Sequence, residues 1–149
     1  MTLFEELTSL VAELDAAGVE YALAGGLALA VWGAPRATQD IDLLVRPETL
    51  EAALTVARER GFALEALPMR FPDGMEMRRA SKAEPGSLLT LDLLLVNPNL
   101  EAVWRTRQRL ATEQGPLWVV SREGLIRMKV AAGRPQDLAD LQRLTELDR

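Results

Sequence analysis

The sequence contains no cysteine and no histidine among its 149 residues. That excludes disulfides, thiolate metal centres, Ser-His or Cys-His nucleophilic catalysis and a histidine general base. Any divalent cation must therefore be held by oxygen ligands, which favours Mg²⁺ or Mn²⁺ over zinc. The missing cysteines also fit a reducing compartment. No apolar run reaches membrane-span length, and the leucine-rich stretch Leu88 to Val96 is interrupted by Thr90 and Asp92. The N-terminus, Met1-Thr2-Leu3-Phe4-Glu5-Glu6, carries acids where a secretory signal needs basic residues. The expectation is a cytoplasmic protein with no membrane partner. Basic charge is also in deficit: 17 Lys and Arg stand against 22 Asp and Glu, a net charge of −5, so bulk charge does not draw the chain to nucleic acid. A local basic patch could still dock RNA. What is present, 48% hydrophobic and 26% charged residues, suffices for one domain with a real core.

Thr2-x-x-Glu5 reads as a capping box, and Leu3, Leu7, Leu10 and Leu14 recur at helical spacing, predicting a helix from Thr2 to about Ala17. A strand is expected over Glu20–Ala24, and Gly25-Gly26 then opens a short helix, Leu27–Trp32, stopped by Gly33-Ala34-Pro35. Gln39–Val45 reads as a second strand, and Pro47 starts a helix to Arg60. Phe62–Leu67 and Met75–Ala80 read as strands separated by a turn-rich segment, and Leu88–Val96 as the most apolar and central strand. Leu100–Leu110 is expected to be helical, placing Arg105 and Arg109 on one face. A short strand, Leu117–Val120, precedes a helix capped by Ser121 and ended by Gly133, and Pro135 starts a last helix to Leu147. The pattern predicts a single α+β domain over 1–149: a two-layer fold with a mixed central sheet flanked by helices, a core over 1–97 and a helical C-terminal extension over 98–149.

Three features carry chemistry. Asp40 and Asp42, spaced i, i+2 on a strand, point to one face, opposite Ile41 and Leu43. Asp92 lies among leucines, where an unpaired carboxylate costs several kcal/mol, on the order of buried-charge penalties; it must be protonated, paired or set against a metal. The glycine pair at a helix start lets backbone N–H groups approach an anion. Each feature also has a plainer reading: acids on the wet face of an edge strand, a strand Asp facing solvent, and a tight turn.

Taken together, Gly25-Gly26, the spacer Arg36-Ala37-Thr38, Asp40-x-Asp42 and the later strand residue Asp92 resemble the DNA polymerase beta-type nucleotidyltransferases. They resemble more closely the small stand-alone nucleotidyltransferase-like proteins that include the toxins of abortive-infection toxin–antitoxin systems. The tail, with Lys129, Arg134 and Asp137-x-x-Asp140-Leu141, is similar to the family's Lys…Arg…Asp-x-x-Asp-Leu segment. The family usually has Ser after its first glycine, and here that place is Gly26. The resemblance implies a nucleotidyltransferase that moves a nucleoside monophosphate from an NTP to a hydroxyl of tRNA, protein or a small molecule, with a cognate antitoxin as a further expected partner. It implies Asp40, Asp42 and Asp92 as catalytic Mg²⁺ or Mn²⁺ ligands. Gly25, Gly26, Arg36, Thr38 and Lys129 would serve as the nucleotide and phosphate site, with Arg134 and Asp137 in support. A non-catalytic nucleotide- or partner-binding relative, a D-x-D glycosyltransferase and a structural dimer module are the alternatives. From its place near a helix N-terminus, Asp137 is expected to be a structural partner of Arg134 or Lys129.

Overall fold

The computed structural model describes residues 2–147. Helix α1 (Leu3–Ala16) starts where the Thr2 hydroxyl accepts from the Glu5 amide at 3.1 Å, and it buries Leu7, Leu10, Val11 and Leu14. Strand β1 (Ala22–Ala24) runs directly into α2 (Gly25–Val31), so both glycines belong to the helix. β2 (Asp40–Val45) follows. A 3-10 turn over Pro47–Thr49 then leads into α3 (Leu50–Glu59). Next come β3 (Leu64–Glu65), β4 (Met69–Arg70), β5 (Glu76–Glu84) and β6 (Ser87–Leu95). The chain closes with α4 (Glu101–Arg105), β7 (Gln108–Thr112), β8 (Gly115–Val119), α5 (Arg122–Ala132) and α6 (Pro135–Glu146).

The strands form one mixed sheet in the order β3-β5-β6-β2-β1-β8-β7, with β4 also paired to β5. β1 and β2 run antiparallel, as do β5 and β6, whereas β2 lies parallel to β6 and β1 parallel to β8. Alternation on β2 and β6 buries Ile41, Leu43, Leu91 and Leu93 on one face and leaves the acids on the other. The helical layer with α1 and α3 covers the face opposite the acids. Lys82, three residues on from Arg79 and so on the other side of β5, bonds Glu6 of α1 at 2.8 Å, and Arg60 at the end of α3 reaches the same carboxylate. The α+β expectation therefore holds, including the mixed sheet and the helical tail.

Several local expectations need correction. The helix expected over Leu100–Leu110 stops at Arg105, and β7 follows. The Thr106 hydroxyl donates to the Ala102 carbonyl at 2.8 Å. The Arg107 guanidinium stacks over Trp104 at 4.0 Å and Trp118 at 5.0 Å, which turns the chain back onto β8. Arg105 and Arg109 thus share no helix face, and the segment after residue 98 adds two strands to the sheet. β2, not β6, holds the middle of the sheet. Met69–Arg70 is a strand where a turn was expected. The strand expected over Phe62–Leu67 shrinks to Leu64–Glu65, because Phe62 is fully buried in the core instead. β5 runs past Ala80 to Glu84, up to the Pro85-Gly86 turn.

Candidate functional site

The parallel register of β2 and β6 sets Asp42 directly beside Asp92 and Asp40 beside Thr90. Three carboxylates from two strands therefore crowd one face. The consequence falls on Asp42, whose carboxyl is pushed up to about 7 by burial first, then by the charges of Asp92 and Asp40 and a hydrogen bond with Asp92. Near neutral pH the Asp42 carboxyl is thus partly protonated. The glycine pair presses against this cluster. Gly25 has φ +67°, and a Cβ built on it would lie 1.9 Å from Oδ2 of Asp42. Only glycine lets the backbone come that close. A Cβ on Gly26 would meet Thr38 Cβ at 3.1 Å, Thr38 Oγ1 at 3.2 Å and Arg36 Nη1 at 3.3 Å. Arg36 and Thr38 thus stand around the second glycine, and the Thr38 hydroxyl also accepts from the Asp40 amide at 3.3 Å.

The tail joins this region through an ionic chain in which Lys129, Asp137 and Asp140 are buried. Arg36 donates to both oxygens of Asp140, at 2.9 and 3.2 Å. Lys129 reaches Asp140 at 2.9 Å and Asp137 at 3.2 Å, and Arg134 bonds Asp137 at 2.7 Å. Asp137 and Asp140 are fully enclosed. Burial alone would raise their carboxyls, but the hydrogen bonds outweigh it and hold both below the usual carboxylate range. Arg134 and Lys129 do this for Asp137; Arg36, Lys129 and Gln136 do it for Asp140. Asp137 is therefore the structural partner of both Arg134 and Lys129. The Lys129 charge is also felt at Asp42, where it opposes the rise.

The fold gathers all the sequence-predicted positions into one neighbourhood: Asp40, Asp42, Asp92, Gly25, Gly26, Arg36, Thr38 and Lys129, with Arg134 and Asp137 behind. Sequence reasoning missed two partners. Asp140, one helical turn after Asp137, was visible only as the second acid of a D-x-x-D spacing. Arg79 on β5 lies opposite Asp92 and bonds both its oxygens, at 2.8 and 3.1 Å. Nothing local in the sequence marks it, since the pairing depends on strand register.

The donor set suits a hard divalent cation: all the available groups are carboxylate oxygens, and their mutual repulsion, seen at Asp42, is relieved by positive charge. Among the described residues, no three acidic side chains are already closed around a common ion position. Nor is any helix among them long and apolar enough to cross a membrane.

No protein-family model matches the chain, and no curated protein sequence matches it. Solved structures do. A candidate nucleotidyltransferase from Thermotoga maritima shares 15% identity over 96% of this chain and 91% of its own, with a TM-score of 0.67. The lincosamide antibiotic adenylyltransferase LnuA, solved with lincomycin, shares 15% identity over 94% of each chain, also at 0.67. ANT(2'')-Ia, solved with adenylyl-2''-tobramycin, shares 18% identity over 98% of this chain and 90% of its own, at 0.66. The chain has the nucleotidyltransferase-like fold common to these structures.

Proposed function

We propose that the chain is a metal-dependent nucleotidyltransferase, moving a nucleoside monophosphate from an NTP to a hydroxyl acceptor. The observation that carries this reading is the side-by-side placement of Asp42 and Asp92, with the Gly25 backbone pressed against Asp42. Asp40, Asp42 and Asp92 would hold Mg²⁺ or Mn²⁺. The bound cation would neutralise phosphate charge and make an attacking hydroxyl more acidic. The remaining work falls to the chain. Backbone amides at Gly25 and Gly26 and the Thr38 hydroxyl would bind the triphosphate, and the nearby Arg36 and Lys129 would supply positive charge for the departing pyrophosphate. With positive charge bound beside it, the Asp42 carboxyl would release its proton to solvent. Acceleration then comes from positioning and electrostatic stabilisation, as for phosphoryl transfer in general.

The acceptor we favour is a small hydroxylated molecule. LnuA and ANT(2'')-Ia are both solved with antibiotics or antibiotic products, and each matches this chain over nearly its whole length. A tRNA end, a protein hydroxyl and a toxin role with a cognate antitoxin are the competing outcomes. The test is incubation of the protein with α-labelled NTPs, Mg²⁺ or Mn²⁺ and cell extract, followed by separation into small-molecule, RNA and protein fractions. Label is expected in the small-molecule fraction, and Asp42→Asn should lose roughly a hundredfold or more, the scale of removing an electrostatic catalytic group. Equal labelling by the two proteins would remove the proposed role. Calorimetric nucleotide binding with no labelled product in any fraction would identify a non-catalytic relative.

A further inference from the structure

We propose that Arg79 is the resident counter-ion of Asp92 and competes with divalent cation for it, so that metal loads at this carboxylate only as the guanidinium lets go. The inference rests on the proposed reading of the acidic cluster. Arg79 takes both oxygens of Asp92 in a bidentate, charge-assisted pair, the strongest geometry open to two side chains of this kind. The two residues are unlike in mobility. The Asp92 side chain is 7% exposed and fixed in the middle of β6, whereas that of Arg79 is 42% exposed and can swing into solvent. Without metal, the three clustered acids thus have the Arg79 guanidinium as counter-charge at Asp92. Asp92 meets Arg79 on one side and Asp42 on the other. A cation entering between Asp42 and Asp92 must share or displace that partner. Arg79 is accordingly a positioning residue, which holds the Asp92 side chain in place until metal arrives.

The test is Mn²⁺ binding, measured by calorimetry and by the spin-resonance signal of free Mn²⁺, with and without a non-hydrolysable NTP. Arg79→Gln should bind Mn²⁺ on the order of tenfold more tightly than the parent protein. Arg78→Gln removes the same charge from the next position, on the opposite face of β5, and should change binding less than about twofold. The gain from Arg79→Gln should vanish in the Asp92→Asn background. Arg79→Lys, which keeps charge and loses the fork, should fall between parent and Arg79→Gln and serves if the glutamine variant does not melt cooperatively. Unchanged or weaker Mn²⁺ binding in the Arg79 variants, or an equal gain from Arg78→Gln, would overturn the inference. A parent protein that binds no Mn²⁺ even with nucleotide would instead sink the functional reading on which it rests.

Discussion

Asp42 is the residue on which fold and site conflict most directly. Its folded carboxyl titrates at about 7, against about 3.9 in an unfolded chain. Between those values the native state holds a proton that the unfolded state has released, so stability falls as pH rises from about 4 to about 7 and then levels off. Asp42→Asn removes this cost. It should stabilise the protein at pH 8 by on the order of 1–3 kcal/mol, after discounting for its partial exposure, and change little at pH 4. Urea denaturation at the two pH values checks the sign. Gly25 is the complementary case. A methyl group there would overlap the Asp42 carboxylate and force a left-handed backbone on an L residue, so Gly25→Ala should cost a few kcal/mol, more than Gly26→Ala, whose nearest neighbour is the side chain of Thr38. Thermal melts of the two variants give the comparison. At this scale the sequence was informative wherever chemistry is local. The i, i+2 spacing alone puts Asp40 and Asp42 on one face. It says nothing of Arg79, because partners across strands are fixed by register.

Among the elements, the decisive joint is the one between the loop after α2 and the helices α5 and α6. Arg36, Lys129, Asp137, Asp140 and Arg134 form one alternating ionic chain, and its acids are fully buried. Removing one member of such a set leaves an uncompensated charge inside the protein, which costs about 3–5 kcal/mol. Asp140→Leu should therefore destabilise strongly, because it leaves two buried or half-buried cations, Lys129 and Arg36, short of a partner, Lys129 keeping only Asp137. Combining it with Lys129→Met should recover part of the loss, and a double-mutant cycle on urea midpoints measures the coupling. The helices themselves were readable from leucine spacing and from caps at Thr2, Ser121 and Gly133, all of which act within a few residues. The α4–β7 boundary was not readable. There, helix-compatible residues are overruled by Arg107, held between Trp104 and Trp118, which come together only when β8 is in place.

For the molecule as a whole, the sheet works as a device for bringing distant charge together. β2 and β6 are separated by more than forty residues of sequence, yet their parallel pairing is what creates the acidic cluster. The folded state therefore carries electrostatic strain that a ligand of the right charge would release, and binding should appear as stability. Cation alone meets the competition of Arg79, and triphosphate alone meets the carboxylates, so each by itself should stabilise weakly. Together they neutralise one another as they bind. At about a hundredfold excess over the dissociation constant the gain is about 2.7 kcal/mol, or roughly 5–10 °C in melting temperature for a chain of this size. Differential scanning fluorimetry with Mg²⁺, with non-hydrolysable NTP and with both should show this synergy, and Asp42→Asn should lose it while melting higher than the parent when unliganded. Additive shifts from the two ligands, or a synergy that survives loss of the Asp42 charge, would place nucleotide binding away from the β2–β6 acids.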